Sequence, residues 1–209
     1  MKFVSLVSSG IDSPVATYLL AKKADEIIVI HADNRPFTDD REIEKFITLT
    51  KYLKQQIPSK ITAYLIQHGP ALHSYQSSCD HKYTCVFCKR MMLRYAEAVA
   101  QQEGADAIIM GDSLGQVASQ TLQNIRVVEQ AVKISILRPL IGFDKEDTIQ
   151  IAKKIGTFDL SIAKADGCGA VPIKPSTRAR LEQILAEEQK INVDELVRVA
   201  VAQKKSVKL

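Results

Sequence analysis

The sequence predicts an α/β fold with a doubly wound parallel sheet that is covered by helices on both faces. Short apolar runs typical of buried strands alternate with longer stretches whose apolar residues recur at helical spacing. Strands that are separated by helices imply parallel βαβ units. The polar motifs of the chain fall at or just after the ends of these strands, which is where such sheets bind ligands.

The first strand is predicted at residues 2–7 and the first helix at residues 13–23. A turn of serine and glycine lies between them. Asp12 or Ser13 is the expected N-cap, because their side chains can accept hydrogen bonds from the free amides of a first helical turn. Pro14 suits that turn, where a backbone N–H has no helical partner.

Two apolar runs predict the second strand at residues 26–31 and the third at residues 61–66. A long helix over residues 39–55 is expected between them, because its apolar residues follow helical spacing. These residues are Ile43, Phe46, Ile47 and Leu53, with Thr50 among them.

The second half of the chain continues the alternation. Helices are predicted at residues 89–103, 113–123 and 144–155, and strands at residues 107–110 and 134–137. Gly156 is expected to close the third of these helices. Residues 176–209 are interpreted as a helical extension of a domain over residues 1–175, with helices at residues 177–189 and 193–204.

Composition places the chain among ordinary globular proteins. Hydrophobic residues make up 46% and charged residues 25% of its 209 residues, which argues against disorder, collagen and disulfide-rich miniproteins. No apolar run approaches the ~20 residues that cross a bilayer, and the N-terminal residues lack a signal-peptide pattern. We therefore expect a cytoplasmic protein with no membrane partner. The net charge of +4 permits a polyanionic partner without requiring one.

The turn after the first predicted strand consists of Ser8, Ser9, Gly10, Ile11, Asp12 and Ser13. Small residues let backbone amides turn inward, and the helix N-terminus adds partial positive charge, so the turn can cradle a phosphate. It has neither the Gly-Lys-Ser/Thr of a Walker A loop nor the glycines of a dinucleotide site. On local pattern alone, an ordinary strand-to-helix turn is an equal alternative.

Several motifs resemble one enzyme family. The run at residues 8–13 resembles the pyrophosphate-binding PP-loop of ATP pyrophosphatases. Its extension to Ala16 is similar to the version in tRNA 4-thiouridine synthetases, the ThiI-type tRNA uridine 4-sulfurtransferases. Four later motifs are similar to motifs of that family, in the same order: RMMLR at 90–94, GDSLGQVASQT at 111–121, LRPLIGFDK at 137–145 and IGTFD at 155–159. The resemblance covers nearly the whole chain as the family's catalytic domain.

The sequence departs from the family pattern at two positions. Ser9 stands where the family usually has glycine, and Asp112 where it usually has glutamate. Ser9 would strain the loop if its position needs a positive φ. Because the first strand is predicted to start at Lys2, we expect the chain to lack the family's usual N-terminal RNA-binding region, with its ferredoxin-like and THUMP domains, and we expect no rhodanese-like domain. We therefore expect this chain alone to bind tRNA weakly.

The resemblance implies that ATP and Mg²⁺ bind near the PP-loop, with Asp12 orienting metal or phosphate. The candidate nucleotide-binding residues are Ser8, Ser9, Gly10, Asp12, Ser13, His31, Gly111, Asp112, Ser113, Gln120 and Arg138. Simpler alternatives are a hydrogen-bonded His31 at a strand end, helix capping by Asp112 or Ser113, and a solvated Arg138.

A basic stripe is expected on the helix at residues 89–103. Lys89, Arg90 and Arg94 form it, and it faces either RNA or solvent. Solvated helix faces of this kind are the commoner case.

Four cysteines stand at positions 79, 85, 88 and 168. In a reducing compartment such a group is more often a metal or reactive site than a set of disulfides. By resemblance, Cys168 corresponds to an active-site cysteine. Cys85, Cys88 and Cys168 correspond to a family subset that holds an iron–sulfur cluster, with one iron open to sulfide. The alternatives are a zinc site that includes Cys79, a redox dithiol and unligated cysteines.

These features predict an adenine nucleotide alpha-hydrolase-like domain that thiolates a carbonyl group. The resemblance implies that uridine O4 attacks the α-phosphate of ATP and that sulfur on Cys168 or on a cluster then displaces AMP. Catalysis is therefore assigned to Cys168 and Asp12. The alternatives are a PP-loop ligase or sulfurtransferase for a small metabolite or carrier protein, and a non-enzymatic metal–sulfur subunit.

The expected partners follow from the same resemblance. Sulfur would come from a donor protein or from sulfide. The tRNA would be captured through a separate RNA-binding protein or through self-association, for example as a homodimer. The C-terminal helices are the candidate docking element, because they are amphipathic and are followed by lysines at the end of the chain. These lysines are Lys204, Lys205 and Lys208.

Overall fold

A six-stranded sheet forms the centre of the fold in the computed structural model, which describes residues 1–209. Its strands are β1 (Lys2–Leu6), β2 (Glu26–Asp33), β3 (Lys60–Gln67), β4 (Ala107–Ile109), β5 (Ser135–Leu137) and β6 (Lys205–Ser206). Their order across the sheet is β5-β4-β1-β2-β3-β6. The first five strands pair in parallel and β6 pairs antiparallel with β3. The predicted parallel sheet is confirmed, and its strand order reverses between β1 and β4.

Nine α-helices surround the sheet. They are α1 (Asp12–Ala21), α2 (Asp40–Gln56), α3 (Gly69–Ser78), α4 (Thr84–Glu103), α5 (Leu122–Glu129), α6 (Lys145–Lys154), α7 (Phe158–Ile162), α8 (Leu181–Glu188) and α9 (Val193–Ala202). Two short 3₁₀ helices occupy His81–Tyr83 and Ala118–Gln120. Helices α1, α2, α6 and α7 pack on one face of the sheet, and α3, α4, α5, α8 and α9 pack on the other. No helix combines the length and apolar character needed to cross a membrane.

The alternation of side chains along the strands explains why both faces are covered. In β1, Val4 and Leu6 join the core under α4, whereas Phe3 packs under α1 and α6. In β2, Ile28 and Ile30 lie on the α4 face, and their neighbours lie on the opposite face. A strand that is apolar at consecutive positions must bury both of its faces, which a doubly wound sheet allows.

One predicted helix is wrong. Residues 113–123 form an irregular loop with a single 3₁₀ turn, and α5 begins only at Leu122. Gly115 has φ +78°, a left-handed conformation that interrupts a helix. Asp112 and Ser113 therefore cap no helix. Thr121 is the N-cap of α5, and its hydroxyl accepts a hydrogen bond from the backbone N–H of Asn124.

Other differences concern helix starts and small elements. Helix α4 begins at Thr84, five residues before its predicted start, so Cys85 and Cys88 lie within its first turns. Helix α1 has Ile11 as its N-cap without a side-chain cap, in place of Asp12 or Ser13. The prediction omitted α3, α7 and β6.

The C-terminal segment packs onto the rest of the chain. Ile184 of α8 and Ala200 and Val201 of α9 belong to the same apolar core as α4 and α5. These residues of the C-terminal helices therefore pack within the chain, while Leu185 of α8 remains 43% exposed. Lys204 donates a hydrogen bond to Gln102 at 2.9 Å, while Lys205 and Lys208 are exposed.

Candidate functional site

A pocket of about 280 Å³ opens at the carboxyl ends of β1, β2 and β4, where the strand order reverses. Such switch points are where open α/β sheets bind ligands. Eight predicted nucleotide-binding residues line the pocket: Ser8, Gly10, Asp12, Ser13, His31, Gly111, Asp112 and Gln120. The structure therefore brings together two separate sequence motifs, at residues 8–13 and 111–121, and His31 of β2.

The loop from β1 to α1 is held in shape by its own serines. The Ser13 hydroxyl accepts a hydrogen bond from the backbone N–H of Ser8 at 2.8 Å, and the two hydroxyls lie 3.1 Å apart. The Ser8 hydroxyl also accepts from the N–H of Gly10 at 3.2 Å. This compact turn leads directly into α1, whose first amides lack helical partners and carry partial positive charge. The arrangement is suited to binding an anion.

Ser9 fits this loop without strain. No residue other than glycine has a positive φ, so its side chain causes no backbone conflict there. Ser9 is buried and its hydroxyl donates a hydrogen bond to Glu42 of α2. Ser9 therefore lies behind the pocket and connects the loop to Glu42, which lines the pocket itself.

Gly111 is required by a close backbone contact. A Cβ at this position would lie 2.8 Å from both the Cα and the N of Ser13. The loop after β4 thus touches the loop after β1, and only glycine permits this approach. This contact fixes the width of the pocket at the switch point.

Asp12 forms an ion pair that the sequence did not reveal. The Nζ of Lys145 lies 2.6 Å from Oδ1 of Asp12, and both side chains are partly exposed. Lys145 is the first residue of α6, so its cation stands next to a helix N-terminus that already carries positive charge. That unfavourable placement is the signal in the sequence that could have marked Lys145 as functional.

Asp112 is the centre of a buried charge network. Its Oδ1 lies 2.6 Å from Nζ of Lys89 and its Oδ2 lies 3.4 Å from Nε of Arg138. The Gln120 amide donates to Oδ1 at 3.4 Å. Burial would raise the pKa of Asp112, but the charges of Lys89 and Arg138 outweigh it and hold that pKa below its usual value. The carboxylate keeps two cations at the pocket in fixed positions.

Arg138 is neither solvated nor fully paired. Its side chain is 11% exposed, and besides Asp112 it contacts Glu129 at 3.2 Å. Its Nη2 is buried and has no hydrogen-bond partner. A buried guanidinium N–H without a partner is costly, so Arg138 retains a free donor for an anionic ligand.

His31 is held as a neutral imidazole. It is buried, stacks on Phe46 with ring centres 4.4 Å apart, and its Nδ1 lies 2.9 Å from the carbonyl of Val7. Because a carbonyl can only accept, Nδ1 carries the proton and Nε2 is an acceptor. Burial lowers the pKa of His31, which favours this neutral state. The residue is thus both a hydrogen-bonded histidine and part of the pocket wall.

Three predicted nucleotide-binding residues do not line the pocket: Ser9, Ser113 and Arg138. The Ser113 hydroxyl donates to the carbonyl of Phe143 at 2.8 Å and supports the loop from behind. The expected basic stripe on α4 is also wrong as a surface feature. Arg90 is buried and Arg94 nearly so, and both bind the carboxylate of Glu188 in α8, while Lys89 points into the pocket.

Three of the four cysteines lie in one neighbourhood beside the pocket. Cys88 lines the pocket, and the charges of Cys85 and Cys168 both affect the Cys88 thiol. Burial raises the pKa of Cys88 to about 12, and it raises the pKa values of Cys85 and Cys168 as well. Glu42, which lines the pocket, also raises the pKa of Cys168.

Cys79 lies apart from the other three. It is buried, and its thiol contacts the carbonyl of Glu187 in α8 at 3.3 Å. The zinc site of four thiolates is therefore not assembled. No three His, Cys, Asp or Glu side chains are placed to hold a single metal ion. The neighbourhood of Cys85, Cys88 and Cys168 supplies three thiols, which fits a cluster with several irons in its donor chemistry.

The geometry defines an anion pocket with the thiols of three cysteines in its neighbourhood. The loop from Ser8 to Ser13 and the cations of Lys89, Arg138 and Lys145 can neutralise a polyphosphate. Sequence reasoning missed Lys145 and Glu42 and gave Lys89 a different location. Nothing in the local sequence singles out Glu42, since an acidic residue in the first turn of a helix is ordinary.

The fold and the pocket together define a PP-loop α/β protein of the nucleotide-hydrolase-like class. Residues 1–193 match the sequence model of the family described as "Thiamine biosynthesis protein (ThiI)". The chain belongs to this family.

Curated relatives support the same assignment. A probable tRNA sulfurtransferase of Methanothermobacter thermautotrophicus is 45% identical over 199 residues, which are 94% of this chain and 51% of the relative. One of Methanosarcina mazei is 41% identical over 209 residues, which are 100% of this chain and 52% of the relative. The chain thus spans about half the length of the curated relatives that it matches.

Solved structures agree with the fold. A 4-thiouridine synthetase crystallised with RNA and bound ATP superposes with a TM-score of 0.94 at 31% identity, over 99% of this chain and 54% of that one. The NMN synthetase of Francisella tularensis superposes with a TM-score of 0.58 at 19% identity, over 96% of this chain and 84% of that one. The second match supports the fold alone.

Proposed function

We propose that this chain catalyses ATP-dependent transfer of sulfur to uridine in tRNA. The carrying observation is the anion pocket at the switch point, with the PP-loop on one side and Cys168 beside it. Relatives of this chain are described as probable tRNA sulfurtransferases, and a similar structure contains RNA and ATP. We infer from the pocket that ATP lies with its phosphates toward the loop from Ser8 to Ser13.

The first step forms an adenylated intermediate. The O4 oxygen of uridine attacks the α-phosphorus, the bond from that phosphorus to the bridging oxygen breaks, and pyrophosphate leaves. The chain's contribution is to position the triphosphate and to neutralise its developing charge. The loop amides, Lys145, Lys89 and Arg138 supply that charge. Mg²⁺ would bind with the phosphates near Asp12 and Glu42, because carboxylate oxygens are its preferred protein ligands.

The second step replaces oxygen with sulfur. A sulfide equivalent adds to C4 of the adenylated uridine, the bond from C4 to oxygen breaks, and AMP leaves. Cys168 is the proposed carrier of that sulfur when a donor protein supplies it: the donor's persulfide passes its outer sulfur to the Cys168 thiolate, and the donor thiol leaves. After this persulfide adds to C4, the thiol of Cys85 or Cys88 attacks Sγ of Cys168 and releases the thiouridine, and an external thiol reductant reduces the resulting disulfide. Free sulfide would instead add to C4 without loading Cys168. An iron–sulfur cluster on Cys85, Cys88 and Cys168 would supply an open iron for sulfide when bound. In the cluster-free protein, burial raises the pKa values of these three thiols.

The first test replaces Asp12 with alanine. We expect Asp12→Ala to lower AMP and pyrophosphate formation by at least about 100-fold, because it removes the carboxylate that orients Lys145 or metal. ATP turnover should be measured with purified tRNA, and circular dichroism should show an unchanged fold. Asp159→Ala, an exposed carboxylate on α7, is the control. Unchanged AMP production, or ADP as the product, would contradict the proposal.

The second test concerns the cysteines. We expect Cys85→Ser, Cys88→Ser and Cys168→Ser each to abolish uridine thiolation, whereas Cys79→Ser keeps it because the Cys79 thiol contacts the carbonyl of Glu187 and does not line the pocket. If the cluster is present, anaerobically purified protein is brown, and each of the first three variants loses that absorbance. Colourless protein with one tightly bound zinc that is lost in Cys79→Ser would contradict the three-cysteine assignment.

One alternative acceptor deserves the same assay, because the matching family carries a thiamine biosynthesis description. On that reading, the adenylated group is a carboxylate of a carrier protein or small metabolite. AMP formation that needs such an acceptor and is indifferent to tRNA would favour it.

A further inference from the structure

The segment over residues 169–180, named here the edge loop, carries positive charge that the proposed chemistry does not use. No Asp or Glu occurs between Gly167 and Leu181, while Lys174, Arg178 and Arg180 do. All three cations are exposed. None of the three forms an ion pair within the chain, and Asp166, just before the segment, pairs with Arg41.

This free charge contrasts with the cations of α4. Arg90 and Arg94 are neutralised by Glu188, and Lys89 by Asp112. The helix therefore offers no cation for a polyanion at the surface. A polyanionic partner binds most readily to cationic side chains that form no ion pair within the chain. The edge loop presents three such side chains.

The edge loop is anchored to the fold. The N–H of Gly169 donates to the carbonyl of Phe37 at 2.7 Å, and the N–H of Ser176 donates to the carbonyl of Lys82 at 2.9 Å. Asn124 binds the carbonyl of Ser176 at 2.8 Å and the N–H of Ala179 at 2.9 Å. Ala179 is buried, whereas Arg178 and Arg180 on either side of it are exposed. The loop is a fixed platform for these cations.

An exposed apolar side chain accompanies the charge. Ile173 is 98% exposed and Val171 is 56% exposed. They line a groove of about 570 Å³ with Lys174, His81 and Lys82, and Gly169 at its end directly follows Cys168. Because Ile173 buries almost no apolar area within the chain, it adds little to the free energy of folding. Its side chain is therefore available for contact with a partner.

We propose that the edge loop binds the phosphate backbone of RNA and guides the strand along the groove toward Cys168. Guanidinium groups bind phosphate through two parallel hydrogen bonds, and Ile173 offers an apolar contact for a base. This inference deepens the proposed function and rests on it, because it assigns where the substrate enters. Three phosphate contacts are a small footprint, which also accounts for the weak tRNA binding expected of the chain alone.

The test is the salt dependence of RNA binding. The variant Lys174→Ala/Arg178→Ala/Arg180→Ala is compared with Lys22→Ala/Lys23→Ala/Lys54→Ala, which removes the same charge from exposed lysines near the ends of α1 and α2, where β2 and β3 begin. Fluorescence anisotropy with labelled tRNA is measured from low to physiological salt. We expect the slope of log K against log salt to fall by about 2–3 in the first variant and by less than about 1 in the control.

A second variant separates charge from apolar contact. We expect Ile173→Ser to weaken tRNA binding by about threefold or more at every salt concentration without changing the slope, because its contact is uncharged. Equal slopes for the two triple variants, or no tRNA binding by the unchanged chain even at low salt, would overturn the inference.

Further outcomes distinguish the inference from the proposed function. If tRNA-dependent AMP formation occurs but its KM for tRNA is the same in both triple variants, the edge loop is wrong and the function stands. If the first variant loses RNA binding but no AMP forms with tRNA in any protein, the proposed function is wrong. If the first variant binds RNA normally and loses only transfer from a protein sulfur donor, the loop docks that donor and the RNA assignment is overturned.

Discussion

Two neighbouring residues of α4, Lys89 and Arg90, point in opposite directions and have different roles. Lys89 reaches into the pocket and pairs with Asp112, whereas Arg90 is buried on the far side and pairs with Glu188. Both pairs join a cation of the same helix to a carboxylate distant in sequence. The difference lies in what surrounds them: the Asp112 pair borders an open pocket, and the Glu188 pair borders only packed protein.

This difference teaches how to separate a charge kept for a ligand from one kept for packing. Glu188 accepts two hydrogen bonds from Arg90 and two from Arg94, and Arg90 also donates to the carbonyl of Val127. No buried polar atom of these three side chains lacks a partner. At the pocket, Arg138 beside Asp112 keeps a buried donor without a partner. A hydrogen-bond network that leaves a donor unpaired beside a cavity indicates a ligand site. A network in which every buried group is paired indicates a packing contact between helices.

The largest expected effect on stability comes from the packed side. We expect Glu188→Ala to lower the free energy of unfolding by about 3–5 kcal/mol, because it leaves the buried guanidinium groups of Arg90 and Arg94 without a counter-charge. Urea unfolding at pH 7 measures it. Glu182→Ala, an exposed carboxylate of the same helix, should change stability by less than about 0.5 kcal/mol. A loss below about 1 kcal/mol for Glu188→Ala would break the comparison.

The ion pair of Lys89 and Asp112 at the pocket should affect catalysis more than stability. We expect Asp112→Asn to lower AMP formation by about tenfold or more, because Lys89 and Arg138 lose the carboxylate that fixes them. The free energy of unfolding should fall by only about 1–3 kcal/mol, since asparagine keeps an acceptor and the pocket admits water. Steady-state ATP turnover and urea unfolding on one preparation give both numbers. Full turnover together with a large loss of stability would assign Asp112 to packing.

A smaller effect concerns pH. Burial would raise the pKa of Glu188, but hydrogen bonds from Arg94 and Arg90 outweigh it and lower that pKa. A carboxylate with a lowered folded-state pKa stabilises fully above its unfolded pKa, near 4, and this contribution is lost as pH falls through the folded value. We therefore expect the unfolding free energy to drop below about pH 4.

Glu188→Gln sharpens this measurement. It should be less stable than the unchanged chain at pH 7, and it should lose less stability between pH 5 and pH 3, because a titrating group has been removed. Urea midpoints at pH 7, 5 and 3 test this. Parallel curves for the two proteins would show that Glu188 does not carry the acid sensitivity.

Features with a local cause could be predicted from the sequence. The apolar runs of β1 to β4 identify strands because burial on both faces requires consecutive apolar residues. The loop at residues 8–13 was found because small residues before a helix have a physical purpose in binding anions. Asp112 was found through its motif, and its place at the end of β4 brings it to the same edge of the sheet.

Features that depend on distant contacts could not be predicted. Lys145 meets Asp12 across 133 positions of the chain, and Glu188 meets Arg90 across 98. Periodicity gives no information on such pairs, so the cations of α4 were interpreted as a surface stripe. The helix expected at residues 113–123 failed for another reason, since the left-handed Gly115 and the pocket contacts of Gln120 favour an irregular loop over local propensity.

The short strand β6 has a consequence for how copies of this chain meet in solution. Beside it, β3 is eight residues long and would otherwise present a row of unpaired N–H and C=O groups. Residues Lys205 and Ser206 pair with its middle, and the N–H of Val207 bonds to the carbonyl of Ala63 at 2.9 Å. By pairing with β3, residues 205–207 reduce the number of free backbone groups through which a second copy could add a strand, and Lys205 places a charge beside them. Pairing of copies along β3 is therefore disfavoured.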